Sequence, residues 1–325
     1  MNGSDAILLL GAGVLGAGVP WVGMRLLVPS LAAGPTVTNF RGRPVFYGLG
    51  IVWLFWAGAA AVGGVAVSGI GRDSLVQLLT LMAPLALVTF ALGLVDDAYG
   101  SGSDRGFRGH IAAGVKGRLT TGGLKVIGIS VSSYATALFV VQVAQWAPWG
   151  SLQQLLLALP AGAAIALTAN LINLMDLRPG RALKFYSLIS LIGLVSVTLG
   201  LENHLPLDRV SQATDIMSLA LFLLGPVVAV WRYDVGERGM LGDAGANPAG
   251  AIAGTVIVAG LPVWGMFGYL ALVFALNLAS ERVSFSRVIE NSAVLRRLDM
   301  LGRSEAAHAG QLSRESDDRE GSGSE

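Results

Sequence analysis

Long apolar stretches recur along this chain with few charges inside them, at approximately 6–30, 45–68, 74–95, 124–145, 152–172, 185–201, 215–231, 248–262 and 263–280. A bilayer core of about 30 Å takes roughly 20 such residues per helix, so each run reads as a candidate span. The last two are divided by the turn-like Gly260-Leu261-Pro262. Composition agrees: 53% of the 325 residues are hydrophobic and 13% are charged. A soluble domain uses roughly 25% charged residues to cover its surface, so a water-soluble globule is excluded. The expected fold is all-α, a polytopic transmembrane helix bundle of about nine spans. The first run is too long for a cleaved signal peptide and has no basic flank before it, so it reads as a retained span.

The charges say which way the bundle faces. Lys+Arg (22) and Asp+Glu (21) nearly cancel, so no basic field points to nucleic acid. Short loops on the cytoplasmic side accumulate Lys and Arg. With the N-terminus outside, 20 of the 22 basic residues fall on the inner side, leaving only Arg72 and Arg209 outside. This predicts a cytoplasmic C-terminus and fits a bacterial plasma membrane. The transmembrane domain is expected over 1–281. Residues 282–303 carry Val288, Ile289, Leu295, Leu298 and Leu301 interleaved with Arg287, Arg296 and Arg297, the pattern of an amphipathic helix on the inner leaflet. The polar stretch 304–325 reads as disordered. The absence of cysteine excludes disulfides, thiolate metal sites and thiol nucleophiles. The 44 scattered glycines suit close helix packing in lipid.

Four acids sit at the inner ends of apolar spans: Asp96, Asp97, Asp176 and Asp243. One such residue ordinarily just ends its helix, but an adjacent pair with two more on the same face suggests binding of a cation or movement of protons. Magnesium is held by one or two carboxylates together with phosphate oxygens and water, which an acidic pair at the interface suits. Asn173 and Asp176 are three apart and share a face if the helix persists there. Asp243 lies in the Gly-rich turn Leu241-Gly242-Asp243-Ala244-Gly245, where small residues let backbone amides approach a phosphate. Basic candidates for an anionic substrate are Arg41 and Arg43 in Asn39-Phe40-Arg41-Gly42-Arg43, then His110, Lys116, Arg118, Lys125, Arg178 and Arg181. The positive-inside bias also places cations here, and a lone loop histidine is more often a bystander.

Taken in order, Leu94-Val95-Asp96-Asp97, Asn173-Leu174-Met175-Asp176, and Tyr233-Asp234 followed by Met240-Leu241-Gly242-Asp243-Ala244-Gly245 resemble the polyprenyl-phosphate N-acetylhexosamine-1-phosphate transferase superfamily, the MraY/WecA-like glycosyltransferase family 4. The resemblance runs from about Asn39 to Pro248. It implies Mg²⁺-dependent transfer of a sugar-1-phosphate from a UDP-sugar to polyprenyl phosphate in cell-envelope glycan synthesis, with Mn²⁺ as the alternative metal and a homodimer compatible with it. By that resemblance Asp96, Asp97 and Asp176 are catalytic, and Asp96, Asp97 and Asp243 lie at the metal. Asn39, Arg41, Arg43, His110, Lys116, Arg118, Lys125, Asn173, Arg178 and Arg181 are the substrate-side candidates.

This chain departs from the family at two places. Asp176 is followed by Leu177-Arg178-Pro179 where the family has Asp-Gly-Leu-Asp in that register, and Gly100 stands where a Lys is common. Two other classes therefore stay open: a degenerate homologue that binds polyprenyl phosphate or nucleotide and regulates an envelope pathway, and a transporter of a lipid-linked substrate. Transporter sites tend to lie at the bilayer midplane rather than at one interface.

Overall fold

The computed structural model describes residues 3–68, 73–100, 109, 113, 116–204 and 209–303; the candidate His110 and the expected tail 304–325 lie outside the described residues. The long helices are α1 (Gly3–Ala32), α2 (Val52–Ser68), α3 (Asp73–Tyr99), α4 (Thr121–Val143), α5 (Leu152–Met175), α6 (Arg181–His204), α7 (Arg209–Asp234), α8 (Asp243–Gly260) and α9 (Val263–Ser280). Eight helices among the described residues are long and apolar enough to cross a membrane, α2 counting with the 3-10 turn Leu49–Ile51 that leads into it. The chain is a multi-pass membrane protein. Its outer faces carry exposed Leu10, Leu26, Val65, Leu156, Leu188, Val195, Trp264 and Phe274, side chains that lipid accepts and water does not.

The ninth long helix, α8, covers the expected run 248–262 but differs in kind. Its first turns are Asp-Ala-Gly-Ala-Asn-Pro, too polar to match the other eight, yet every residue from Ala244 to Val258 is buried. Each of α1 to α7 packs on its sequence neighbours, and α7 closes the ring against α1. Helix α8 fills the middle against α3, α4, α5 and α6, while α9 lies outside against α5. A helix surrounded by protein needs small residues more than oily ones. A Cβ on Gly250 would sit 2.5 Å from the Ala169 Cα of α5, so only glycine allows that approach.

Proline shapes α7. Pro226 has no N–H to offer the Phe222 carbonyl four residues earlier, and that carbonyl accepts instead from the Trp56 indole N–H of α2 at 2.6 Å. Next to it, the Tyr186 hydroxyl of α6 donates to the Leu223 carbonyl at 2.7 Å. Trp53 stacks edge-on against both Trp56 and Tyr186, with ring centroids 5.9 and 5.3 Å apart. With no water in the hydrocarbon region, the Trp56 and Tyr186 donors find their acceptors within the bundle.

The helical expectation holds in the main, with a small sheet added to it and two segments corrected. β1 (Thr36–Thr38) pairs antiparallel with β2 (Pro44–Tyr47), which pairs parallel with β3 (Gly239–Met240). The run 45–68 therefore opens as a strand, and its helix begins at Val52. The segment 282–303 is two helices, α10 (Phe285–Asn291) and α11 (Ala293–Met300), because Ser292 leaves helical geometry to cap the second by accepting from the Leu295 N–H.

Gly250→Val should destabilise the fold by about 1–3 kcal/mol or more through overpacking against α5, whereas Gly268→Ala, with nothing near the added Cβ, should leave it unchanged or slightly more stable. Thermal unfolding of both variants in one detergent checks the contrast.

Candidate functional site

Because the helices alternate in direction, the C-terminal ends of α3, α5 and α7 meet the N-terminal ends of α4, α6 and α8 at one end of the bundle, where the small sheet also lies. The N-terminus of α8 is the centre of this end. A buried helix start exposes amides without partners. Asp97, from the last turn of α3, accepts from the Asp243 N–H at 3.0 Å and the Ala244 N–H at 2.8 Å. Asp176, the residue that ends α5, accepts from the Gly242 N–H at 3.0 Å. Gly242 has φ +67° and ψ −173°, a conformation essentially restricted to glycine, and a Cβ there would strike the Tyr47 ring and hydroxyl.

Asp96 and Asp97 are neighbours in sequence but do different work. On a helix they point about 100° apart. Asp97 turns to the α8 amides and to the Tyr47 hydroxyl, which donates to it. Asp96 faces Lys125, whose ammonium lies 2.6 Å from it and also pairs with Asp243. Thr121, in the first turn of α4, also hydrogen-bonds Asp96. Lys125 is held one turn into α4, a helix whose start is capped by the Thr120 hydroxyl accepting from Gly123. Asp96 and Asp243 thus converge on a single cation.

Two groups outside the spans are strongly perturbed. Burial, then the hydrogen bond to Asp97 and the charges of Asp97, Asp243 and Asp176, push the Tyr47 hydroxyl up, so it stays a donor at any physiological pH. Burial and the nearby charge of Asp234 push Asp176 well above the usual carboxylate range, against the lowering effect of its Gly242 bond.

Beside this cluster a cleft is lined by Phe40, Asp176, Arg178, Asp234, Glu237 and Met240 among others. The Asn39 side chain folds the turn at its rim, accepting from the Arg41 N–H at 2.9 Å and the Arg43 N–H at 3.0 Å. Its amide then donates to Glu237 at 3.3 Å, and Glu237 also pairs with the Arg41 guanidinium at 3.3 Å. Arg178 stacks over the Phe40 ring at 4.2 Å and pairs with Glu290 of α10 at 2.6 Å. Asp234 accepts from the Gly180 N–H at 2.8 Å, fixing the α5–α6 turn.

Arg181 is tied down elsewhere. Its side chain, 2% exposed, grips Asp299 of α11 with two hydrogen bonds of 2.9 and 3.1 Å and also donates to Ser286 at 2.8 Å. Arg303 joins the same carboxylate at 2.9 Å, and Lys184 donates to the Asp299 carbonyl. Burial raises the Asp299 carboxyl, but the Arg181 bonds and the charges of Arg303 and Arg181 outweigh it and hold it below its ordinary value.

Of the residues singled out by sequence, Asp96, Asp97, Lys125 and Asp243 come together, with Asp176 joined to them through Gly242. Asn39, Arg41 and Arg178 line or brace the cleft, and Arg43 enters through its backbone alone. Lys116 and Arg118 sit in the turn before α4, their amides bonded to the Ala113 carbonyl. Asn173 does not share a helix face with Asp176, since α5 stops at Met175 and the Asp176 amide bonds the Asn173 carbonyl at 3.1 Å. Sequence reasoning missed Tyr47, Glu237, Glu290 and Asp299, and passed over Asp234 despite quoting it. Among the described residues no group of three or more acidic or histidine side chains is arranged to hold a metal ion. Neither the models of known protein families nor the curated proteins contain a match to this chain.

Gly242→Ala should loosen the α8 start and lower the unfolding temperature, because it strains the backbone by about 1–3 kcal/mol and collides with Tyr47. Asp299→Asn should cost about 3 kcal/mol at neutral pH by leaving buried Arg181 without its partner. Since the folded-state pKa of Asp299 is depressed, its stabilisation is present above the unfolded-state value and is lost as pH falls through the folded one. The gap in unfolding temperature between wild type and Asp299→Asn should therefore shrink as pH is lowered toward 3.

Proposed function

We propose that this chain transfers a sugar-1-phosphate, of the N-acetylhexosamine class, from a UDP-sugar to polyprenyl phosphate at the cytoplasmic face of a bacterial plasma membrane. The observation that carries the reading is the convergence of Asp96 and Asp243 on one cation at the membrane end of the bundle. It is supported by the ordered motifs around Asp97, Asp176 and Asp243 and by the cleft beside them.

The donor set suits Mg²⁺ in its usual mode, with two carboxylates and the remaining positions left to phosphate oxygens and water. Asp96 and Asp243 would hold it, with the Lys125 ammonium moving aside to a phosphate. Asp97 keeps to the α8 amides and fixes the position of Asp243. When bound, the ion supplies charge neutralisation for the diphosphate and for the departing UMP. An oxygen of the lipid phosphate attacks the β-phosphorus of the UDP-sugar in line, forming a new P–O–P link. The bond from that phosphorus to the bridging oxygen breaks, and the oxygen leaves with UMP. Lys125 offsets the charge of the approaching phosphates, and Arg178 with Phe40 borders the cleft as a flat cationic and aromatic edge for the nucleotide.

Purified protein with undecaprenyl phosphate, Mg²⁺ and a panel of UDP-sugars should exchange radiolabelled UMP into the donor. Asp96→Asn and Asp243→Asn should each lower exchange by roughly a hundredfold or more, the scale on which loss of a group stabilising transferred charge is felt. Silence across the panel with nucleotide or lipid still bound would replace this reading with a non-catalytic binding protein. Flux of a lipid-linked substrate without covalent product would replace it with a transporter.

A further inference from the structure

The second half of the C-terminal segment presents an apolar ridge that no described part of the protein covers. In α11, Val294, Leu295 and Leu298 are 67%, 40% and 52% exposed, and Leu301 just beyond is 60% exposed. Val294 and Leu298 are four apart and share one side of the helix, with Leu295 beside them. The bundle is gripped from another side, where Asp299 holds Arg181 and Arg303, and where Gly302 lies against the Trp231 ring. The Asp299 contacts are charged and largely buried, so they fix the orientation of the helix with the ridge on a different side. Exposed Arg296 and Arg297 lie in the same helix, and the preceding residues add exposed Arg282, Arg287 and Val288.

We propose that α10 and α11 form a docking surface for an anionic phospholipid surface, the ridge entering the lipid and the arginines meeting its headgroups. Reach supports this occupant. Helix α9 ends at Ser280 and α10 begins at Phe285, and the residues between them span at most roughly 18 Å, so the pair stays beside the headgroup layer of the bilayer that α9 crosses. Charge supports it too. A second copy docked ridge to ridge would gather the arginines of both copies around one interface, where like charges repel, whereas anionic headgroups complement them. Short helices with apolar residues on one side and arginines on the flanks bind membranes by apolar burial together with attraction to anionic lipid. The proposal rests on the multi-pass architecture and is independent of the transferase reading.

The chain has no cysteine, so Leu298→Cys gives one labelling site in the full protein. The variant, carrying an environment-sensitive fluorophore, is placed in nanodiscs of phosphatidylcholine with increasing phosphatidylglycerol and a fixed fraction of acyl-chain spin-labelled lipid. Quenching should rise with phosphatidylglycerol. Adding Arg287→Gln and Arg297→Gln should move the half-maximal phosphatidylglycerol density upward by roughly tenfold, or beyond the accessible range, as expected when two headgroup contacts are lost. Monodisperse elution and an unchanged unfolding temperature establish that the labelled protein is folded. A label that is never quenched, or quenching indifferent to phosphatidylglycerol and to the arginine changes, overturns the proposal. Protection of the label that tracks protein concentration and two copies per disc also overturns it, in favour of self-association.

Discussion

The start of α8 is the constraint on which the rest of this structure depends. A helix that starts in the half-buried end of a membrane bundle brings amides without intrahelical partners, and protein acceptors satisfy them here. Asp97 and Asp176 meet that demand from the ends of two other helices, one reaching Asp243 and Ala244 and the other Gly242. Burial and the charge of Asp234 favour the neutral form of Asp176, and the backbone N–H groups with the positive end of the helix dipole offset part of the cost of holding acids there. Once those bonds are made, the ends of α3, α5 and α8 are fixed to each other within a few ångströms, and the ring that encloses α8 has little freedom in register.

That same arrangement concentrates charge. With Asp97 and Asp176 committed to amides, Asp96 and Asp243 are left facing one another, and two carboxylates so close cannot both ionise without a cation. Lys125 supplies it. The capping geometry therefore generates a cation site as a by-product of folding. A lysine is a compact point charge on a flexible stem, able to withdraw from the pair in a way that a guanidinium locked in a bidentate grip cannot.

Much of this was legible in the sequence because it is written locally. Apolar run length gives the helices, and the four acids stand out against basic loops. What stayed hidden depends on partners far along the chain. Tyr47 sits in Pro44-Val45-Phe46-Tyr47, which reads as the opening of an apolar span, but the segment pairs with β1 and with β3, and the Tyr47 partner, Met240, lies nearly 200 residues away. Glu237 and Asp299 are acids close to arginines, indistinguishable by pattern from solvated charges, yet Glu237 holds Asn39 and Arg41 at the cleft rim and Asp299 gathers Arg181, Arg303 and Lys184. The division of labour between Asp96 and Asp97 follows from where α4 and α8 happen to lie around α3, which adjacency in sequence does not encode. Helix α8 shows the converse: its weak hydropathy goes with its enclosure, since small residues let four neighbouring helices approach.

The α5–α6 turn separates two arginines that the sequence presents as equivalent. Arg181 is 2% exposed and spends three donors on Asp299 and Ser286, so moving it to a ligand would strand a buried carboxylate together with Arg303. Arg178, three residues earlier, retains 24% of its side-chain surface and lies flat on Phe40 at the edge of the cleft. Among the described residues it pairs with Glu290, which is itself 42% exposed and sits where solvent weakens the attraction. Exchanging that partner for a phosphate or a base edge costs little, whereas exchanging Asp299 costs a buried ion pair. The structure thus separates the two arginines within one turn: Arg181 anchors the C-terminal helices, and Arg178, held by those same helices at the rim, keeps a side chain that solvent still reaches.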